Sequence, residues 1–310
     1  MKTIRALTLA NYGGADSVVV ANVATPTAQS GQVLVRVKAA GINGLDWKIR
    51  EGYVRDAFPL QLPAVLGIEL AGVVEAVGAG VSRFKVGDRV MGPLGGLGAY
   101  ADLVAVDEIK LSHIPHNLSD IDAAALPVAS LSAWQSLHAA GPIQKGQRVL
   151  IHGAAGGLGG FAVQFARQAG ATVYATARGK AVEYVQSLGA DHVIDYEKQP
   201  FEDVVSDIDL VLDYVGGEVL ARSWQVLSDK GAIVGTTAPD ILALTPAGRR
   251  GIWFMMKPDA THLGAIAEQV AQGQLQSKVA EVVGFADLPA AIERNRTQSR
   301  FGKTVVDFSR

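Results

Sequence analysis

Seven consecutive residues invite a chemical reading. The short apolar stretch "RVLIH" ends at His152, and Gly153, Ala154, Ala155, Gly156, Gly157, Leu158 and Gly159 follow, opening the helix-spaced segment "GLGGFAVQFARQAG". A glycine at 156 lets the backbone approach a pyrophosphate, and one at 159 lets the new helix pack close to the strand. The N–H groups of a helix start, here Gly157 and Leu158, are free and carry partial positive charge suited to phosphate. The strict G-x-G-x-x-G spacing fails at Ala154; what the chain carries is Gly153-x-x-Gly156-x-x-Gly159. Two readings stand, a dinucleotide turn or a tight structural turn without ligand. The position after a strand, before a helix and at the head of a βαβ series points to the first.

The end of the next strand bears on which dinucleotide. An NAD site places an Asp or Glu there, about 20 residues beyond the glycines, for the ribose hydroxyls. This chain has Ala175, Thr176, Ala177, Arg178, Gly179 and Lys180: no acid and two cations. Arg178 and Lys180 read as a site for the 2′-phosphate of NADP, through charge-assisted hydrogen bonds, and Thr176 at the strand end as a further cofactor-binding residue. The plain alternative is two solvated cations at a helix start.

These residues need a scaffold, and the pattern supplies one. The chain has 310 residues, 49% hydrophobic and 19% charged, with a formal net charge of −2 and no cysteine. That is room for two ordinary domains, with no broad basic field for nucleic acid or anionic membrane and no Cys-containing zinc site. No apolar run has the length of a bilayer span and the start lacks a signal-peptide pattern, so the expectation is a soluble cytoplasmic protein. To about Val106, short β-branched stretches such as "QVLVRVKAA" and "GIELAGVVEAVG" alternate with Gly, Pro, Asn and Asp. From Ser119, an N-cap type, "SDIDAAALP" and "PVASLSAWQSLHAA" read as helices. Strands and helices then alternate: "RVLIH" precedes the helix "GLGGFAVQFARQAG", "ATVYATA" precedes "KAVEYVQSLGA", and "HVIDY" is followed by "IDLVLDYV", the helix "EVLARSWQVLSD" and the strand "AIVGTT". Continuous apolar strands between amphipathic helices predict a parallel sheet covered on both faces. The apolar run "GIWFMM" comes next, and "ATHLGAIAEQVAQG", "KVAEVVGF", "DLPAAIERNRTQ" and "KTVVDF" close the chain as helix, strand, helix and strand.

The stretches "AAGINGLDWKIREGY", "LPAVLGIELAGVVEAVGAGVSRFKVGDRVMG", "LPVASLSAWQSL", "LGADHVIDY" and "GKTVVDF", together with the glycine turn, resemble the medium-chain dehydrogenase/reductase superfamily from end to end. The likeness is to its zinc-independent quinone oxidoreductase and enone reductase branch, which includes zeta-crystallin-like proteins. It implies an α/β chain in which a GroES-like β-barrel catalytic domain (residues 1–122 and 265–310) surrounds a Rossmann doubly wound parallel-sheet domain that binds NADP (residues 123–264). It also implies a cleft between the domains and a homodimer along the Rossmann sheet edge. Zinc-dependent relatives carry a cysteine in the segment matching "AAGIN" and a His–Glu pair in that matching "GIE". Here those places hold Asn43 and Ile68–Glu69. One carboxylate does not make a catalytic zinc site, which needs three protein ligands and an open position. His113 and His116, split by Pro115, read as loop residues, and His152 as packed at the end of its strand.

Without a metal, the substrates implied are quinones and α,β-unsaturated carbonyls, which already carry a strong electrophile. The oxygen that gains charge needs hydrogen-bond donors, and a proton must arrive from a side chain or water. Asn43 is the first candidate donor by its match to the family segment, or else a turn-stabilising residue in "GINGLD". Tyr53 is the second, through its hydroxyl, or else an exposed loop aromatic. Asp46 reads as a loop brace, and Glu69 as a structural carboxylate whose partner the sequence does not name. The resemblance further places Ser132 beside the nicotinamide and Tyr196 by the 2′-phosphate, with Gly235, Thr236 and Thr237 near the nicotinamide ribose. Arg249 and Arg250 read as a solvated pair. The rival functions are a non-catalytic NADPH-binding sensor or structural protein and, within enzymes, an enoyl-thioester reductase.

Overall fold

The computed structural model describes residues 2–56, 58–298 and 301–310. The chain forms two compact units, the first made of Met1–Val128 and Pro258–Arg310, the second of Ala129–Lys257.

The first part of unit 1 carries strands β1 (Thr3–Leu9), β2 (Val18–Ala24), β3 (Gln32–Ile42), β4 (Ala64–Val65), β5 (Glu69–Val77), β6 (Arg89–Pro93), β7 (Leu103–Asp107) and β8 (Ser112–His113). Helix α1 (Gly44–Arg50) follows β3, and α2 (Asp120–Ala124) precedes α3 (Pro127–His138). Ser119 caps α2, its side chain accepting from the Asp122 N–H as the N-cap type predicts. Unit 2 carries β9 (Arg148–His152), α4 (Gly157–Gln168), β10 (Thr172–Ala177), α5 (Ala181–Ser187) and β11 (His192–Asp195). Then come β12 (Ile208–Asp213), α6 (Glu218–Ser223), β13 (Leu227–Gly235), α7 (Ile241–Leu244) and β14 (Arg250–Trp253). The return to unit 1 adds α8 (Ala260–Ala271), β15 (Val279–Gly284), α9 (Leu288–Thr297) and β16 (Lys303–Asp307).

In unit 1, one sheet runs β15-β16-β3-β5-β6-β8 with β7 also paired to β3, and a second runs β2-β1-β4. The β-branched stretches read from the sequence are its strands: Val33, Val35 and Val37 of β3 alternate into a core with Leu70 and Val74 of β5. The C-terminal strand β16 pairs antiparallel with the end of β3, Thr304 opposite Ile42. This pairing brings residue 303 beside residue 43.

In unit 2 the order is β11-β10-β9-β12-β13-β14, and every pair is parallel. Because β9 is followed outward by β10 and β11 on one side and flanked by β12 on the other, the winding reverses between β9 and β12. In such sheets the ligand crevice lies beyond the carboxyl ends of the strands at that reversal. The helix expected over "EVLARSWQVLSD" is shorter than its apolar pattern suggested. It stops at Ser223, because Val226 and Leu227 are drawn into the sheet: the Ile208 N–H donates to the Val226 carbonyl, and Leu227 stands opposite Ile208. The run "GIWFMM" supplies the sixth strand.

Candidate functional site

The glycine turn leaves β9 at the reversal point. Gly153 has φ +72°, a left-handed conformation open to glycine at little cost. Its carbonyl accepts from the Gly156 N–H at 3.1 Å, closing the turn. A Cβ on Gly159 would collide with the Gly153 carbonyl oxygen, so close packing of helix start on turn is what demands glycine there. Helix α4 begins after Gly156, and the Gly160 N–H is bonded to the Gly156 carbonyl. The N–H groups of Gly157, Leu158 and Gly159 therefore fall in the first turn, where a helix offers them no acceptor. Gly156, Gly157 and Leu158 are half-buried rather than sealed.

The facing loop follows β12. Asp213, fully buried, accepts from the N–H groups of Val215 and Gly216 at 2.9 Å each, and burial raises its pKa above the ordinary carboxylate value. Gly153 lies against Tyr214 and Val215, the Tyr214 hydroxyl is 2.8 Å from Ser136 Oγ, and the Thr236 N–H donates to the Asp213 carbonyl at 3.3 Å. Gly235 ends β13 with Thr236 and Thr237 beyond it; Thr237 Oγ1 is buried with no hydrogen-bond partner among the described residues. Ser132 is buried on α3. At the ends of β10 and β11, Arg178, Lys180 and Tyr196 are all exposed. Thr176 stands apart from this group. It is buried within β10, and its hydroxyl is 3.1 Å from His152 Nδ1, whose Nε2 is 3.0 Å from Ser223 Oγ. Burial, with Arg222 nearby, pushes the His152 pKa down to about 3, so this ring is a neutral member of the sheet core. Arg249 is not a solvated cation: its guanidinium donates to the carbonyls of Leu227 and Ser228. Arg250 opens β14 and is exposed.

Unit 1 holds a buried polar cluster. Asn43 precedes α1, and Asp46, three residues on, accepts from the Asn43 N–H at 2.7 Å. The Asn43 amide donates to Glu69 Oε1 at 2.8 Å and to the Gly41 carbonyl at 3.3 Å, while its oxygen accepts from Lys303 Nζ. Lys303 Nζ is also 2.6 Å from Glu69 Oε1, and Glu69 Oε2 accepts from the Val128 N–H at 2.7 Å. Lys303 is thus the partner of Glu69 that the sequence could not name. The link runs between β5 and β16, two strands on either side of β3 that only the fold brings together. Both amide hydrogens of Asn43 are engaged inside the cluster, which is the arrangement of a brace; they are not left free for a substrate oxygen. Tyr100, fully buried, donates to Asp46 Oδ2 at 2.7 Å, while Asp46 Oδ1 is buried without a partner. Burial raises the Asp46 pKa to about 6 against the pull of the Tyr100 and Asn43 hydrogen bonds. Tyr53 lies outside this cluster. It is 72% exposed, its ring set edge-on against Trp47 at 5.8 Å, and its hydroxyl has no hydrogen-bond partner among the described residues.

A parallel sheet with a glycine turn at its reversal, joined to a β-rich unit assembled from both ends of the chain, defines a nucleotide-binding oxidoreductase architecture. Residues 29–116 match the alcohol dehydrogenase GroES-like domain, and residues 188–306 match the zinc-binding dehydrogenase family. The chain is 38% identical over 259 residues to 2-methylene-furan-3-one reductase from Solanum lycopersicum, which covers 80% of this chain and 64%, just under two thirds, of that relative. It is 34% identical to 2-haloacrylate reductase from Burkholderia sp, over 87% of this chain and 85% of the relative. The quinone oxidoreductase from Coxiella burnetii superposes with a TM-score of 0.93 at 29% identity, covering 99% of each chain. The chain belongs to the medium-chain dehydrogenase/reductase superfamily, among quinone oxidoreductases and enone reductases. It is an oxidoreductase of a family that works with a nicotinamide cofactor.

The two groups this membership brings to mind fare differently. The sharp Gly153 turn, the glycine demanded at 159 and the open first turn of α4 fit a dinucleotide pyrophosphate. A zinc ion does not fit the donor set. The chain has no cysteine, no three His, Asp or Glu side chains cluster among the described residues, and Glu69 is already held by Lys303, Asn43 and Val128. His113 is exposed against Phe84, and His116 is exposed as well.

Proposed function

We propose that this protein is a metal-independent NADPH-dependent reductase of quinones or α,β-unsaturated carbonyls. The observation that carries the reading is the end of β10. It presents Arg178 and Lys180 to solvent and no acid of its own, beside a glycine turn built for a pyrophosphate. Gly153, Gly156, Gly157, Leu158 and Gly159 would hold the pyrophosphate through backbone N–H groups and close approach. Arg178, Lys180 and Tyr196 would hold the 2′-phosphate, and Ser132, Gly235, Thr236 and Thr237 would lie toward the nicotinamide. Thr176 supports the strand end through His152 and makes no cofactor contact in this reading.

When bound, NADPH supplies the hydride. The chain's own tasks are to fix the cofactor's orientation, to exclude water and to offer a donor to the oxygen that gains charge. Of the two candidate donors, Tyr53 has an unengaged hydroxyl, whereas Asn43 acts through the cluster it braces. Proton delivery to the reduced carbon or oxygen is then left to water or to Tyr53. A homodimer along the edge strand β14 belongs to the same proposal.

The test is steady-state oxidation of NADPH by chelator-treated protein, with an ortho-quinone and a medium-chain enone assayed side by side and NADH as the control. Turnover of either acceptor, poorer with NADH, is the expected result. Tight NADPH binding with neither acceptor reduced would overturn the reading in favour of a sensor.

A further inference from the structure

The ends of β10 and β11 hold a carboxylate that the cofactor reading does not use. The two strands run parallel with Ala177 opposite Asp195, so the residues after each strand emerge side by side. Arg178 Nη1 donates to Glu197 Oε1 at 3.2 Å, and both side chains are about half exposed, 45% and 54%. The Glu197 backbone is itself fixed, its N–H donating to Asp195 Oδ1 at 3.2 Å. The neighbouring cations differ. Lys198 is paired with Asp195 at 2.9 Å, while Lys180 has no ion pair among the described residues. Of the two cations proposed for a 2′-phosphate, then, one already faces an anion of the chain.

We propose that Glu197 sets how strongly the protein discriminates between NADPH and NADH, by occupying Arg178 in the free protein. The inference rests on the reading that Arg178, Lys180 and Tyr196 receive the 2′-phosphate. A phosphate monoester carries between one and two negative charges near neutral pH. To reach Arg178 it must turn the Glu197 carboxylate into water or accept a like charge beside it. NADH, lacking that group, disturbs neither. The pair is exposed, so its strength is modest and screened by salt. Relief of the repulsion adds to it, and removing the carboxylate charge is expected to tighten NADPH binding roughly five- to tenfold.

The experiment is a double-mutant cycle on cofactor binding, with dissociation constants for NADPH and NADH measured in the wild type, Glu197→Gln, Arg178→Ala and the double variant. Both substituted side chains are exposed, and melting temperatures check that each variant folds. The expected result is NADPH tightened about five- to tenfold by Glu197→Gln, NADH changed less than twofold, and the effect lost in the Arg178→Ala background. Equal tightening of both cofactors, no change in either, or a full effect without Arg178 would overturn the proposal. Should Arg178→Ala leave NADPH binding untouched, the placement of the 2′-phosphate itself fails and this inference falls with it. The cycle thus separates the two failures.

Discussion

Lys303 and Glu69 meet at 2.6 Å with side chains 8% and 0% exposed, an ion pair closed off from water between the last strand of the chain and one of its central strands. Asn43 bridges the same two groups, and Glu69 also receives the Val128 N–H where α3 begins. A Cβ on Gly41 would collide with the Glu69 carboxylate, so the close approach is built into the backbone of β3. Such a pair holds its charges only because each compensates the other.

Breaking it from one side should therefore be costly. Lys303→Met leaves a buried carboxylate unpaired and is expected to lower stability by about 3–5 kcal/mol. Lys303→Met combined with Glu69→Gln removes both charges and keeps an acceptor for Val128, and it is expected to recover most of the loss. Denaturant midpoints of the two variants check this; equal losses would show that the charge pairing is not what holds the cluster.

The pH dependence has two opposed parts. His152 has a folded pKa of about 3 against an ordinary 6.5, so between those values the unfolded chain binds a proton that the native chain refuses. Its contribution to stability is complete above pH 6.5 and is lost as pH falls toward 3, by about 1.4 kcal/mol per pH unit. Between pH 3.8 and 6 the opposed titration of Asp46 offsets this slope, so the test is made in the Asp46→Asn background: there melting temperatures should decline steadily from pH 6.5 toward 3, and a flat profile would contradict the buried neutral ring.

Asp46 works in the other direction. Its folded pKa of about 6 exceeds the ordinary 3.8, so the native chain keeps a proton that the unfolded chain has released. Its contribution is complete below pH 3.8 and is lost as pH rises through 6. Asp46→Asn fixes the neutral form and keeps an oxygen for Asn43 and Tyr100. It is expected to stabilise the protein at pH 8 by up to about 3 kcal/mol and to change it little at pH 4. The difference between the two melting profiles, read at both pH values, is the measurement.

The glycine turn gives a steric prediction. Gly159→Ala drives a Cβ into the Gly153 carbonyl, and overpacking of this kind costs about 1–3 kcal/mol. Because the turn must shift to relieve the collision, NADPH affinity is expected to fall at least tenfold. Gly156→Ala meets only an ordinary contact with the same carbonyl at 3.4 Å and should lose less stability than Gly159→Ala. Calorimetric titration beside a thermal melt distinguishes the two substitutions.

What the sequence made legible follows from the range of the interactions. The strand–turn–helix at 148–168, the N-cap at Ser119 and the alternation of apolar strands with helices are local patterns, and the structure repeats them. Lys303 was invisible as a partner of Glu69 because antiparallel pairing of β16 with β3, not sequence proximity, brings it there. Thr176 faces His152 rather than the strand end because its register places it beside a buried ring, which composition does not reveal. The α6 pattern misled since Val226 and Leu227 satisfy a sheet ladder as well as a helix face. Glu197 is not legible as a partner of Arg178 because nothing in "YEKQ" signals that it meets a cation 19 residues earlier.

The central claim is hydride transfer from NADPH to an electrophile without a metal ion, and isotope transfer tests it most directly. Chelator-treated protein is given NADPH deuterated at the transferring position of C4 and a medium-chain enone, and the product is read by NMR. Deuterium at the carbon β to the carbonyl, with one NADPH consumed per product formed, is the result the account predicts. NADPH bound but not oxidised, or product formed without deuterium at that carbon, would contradict it.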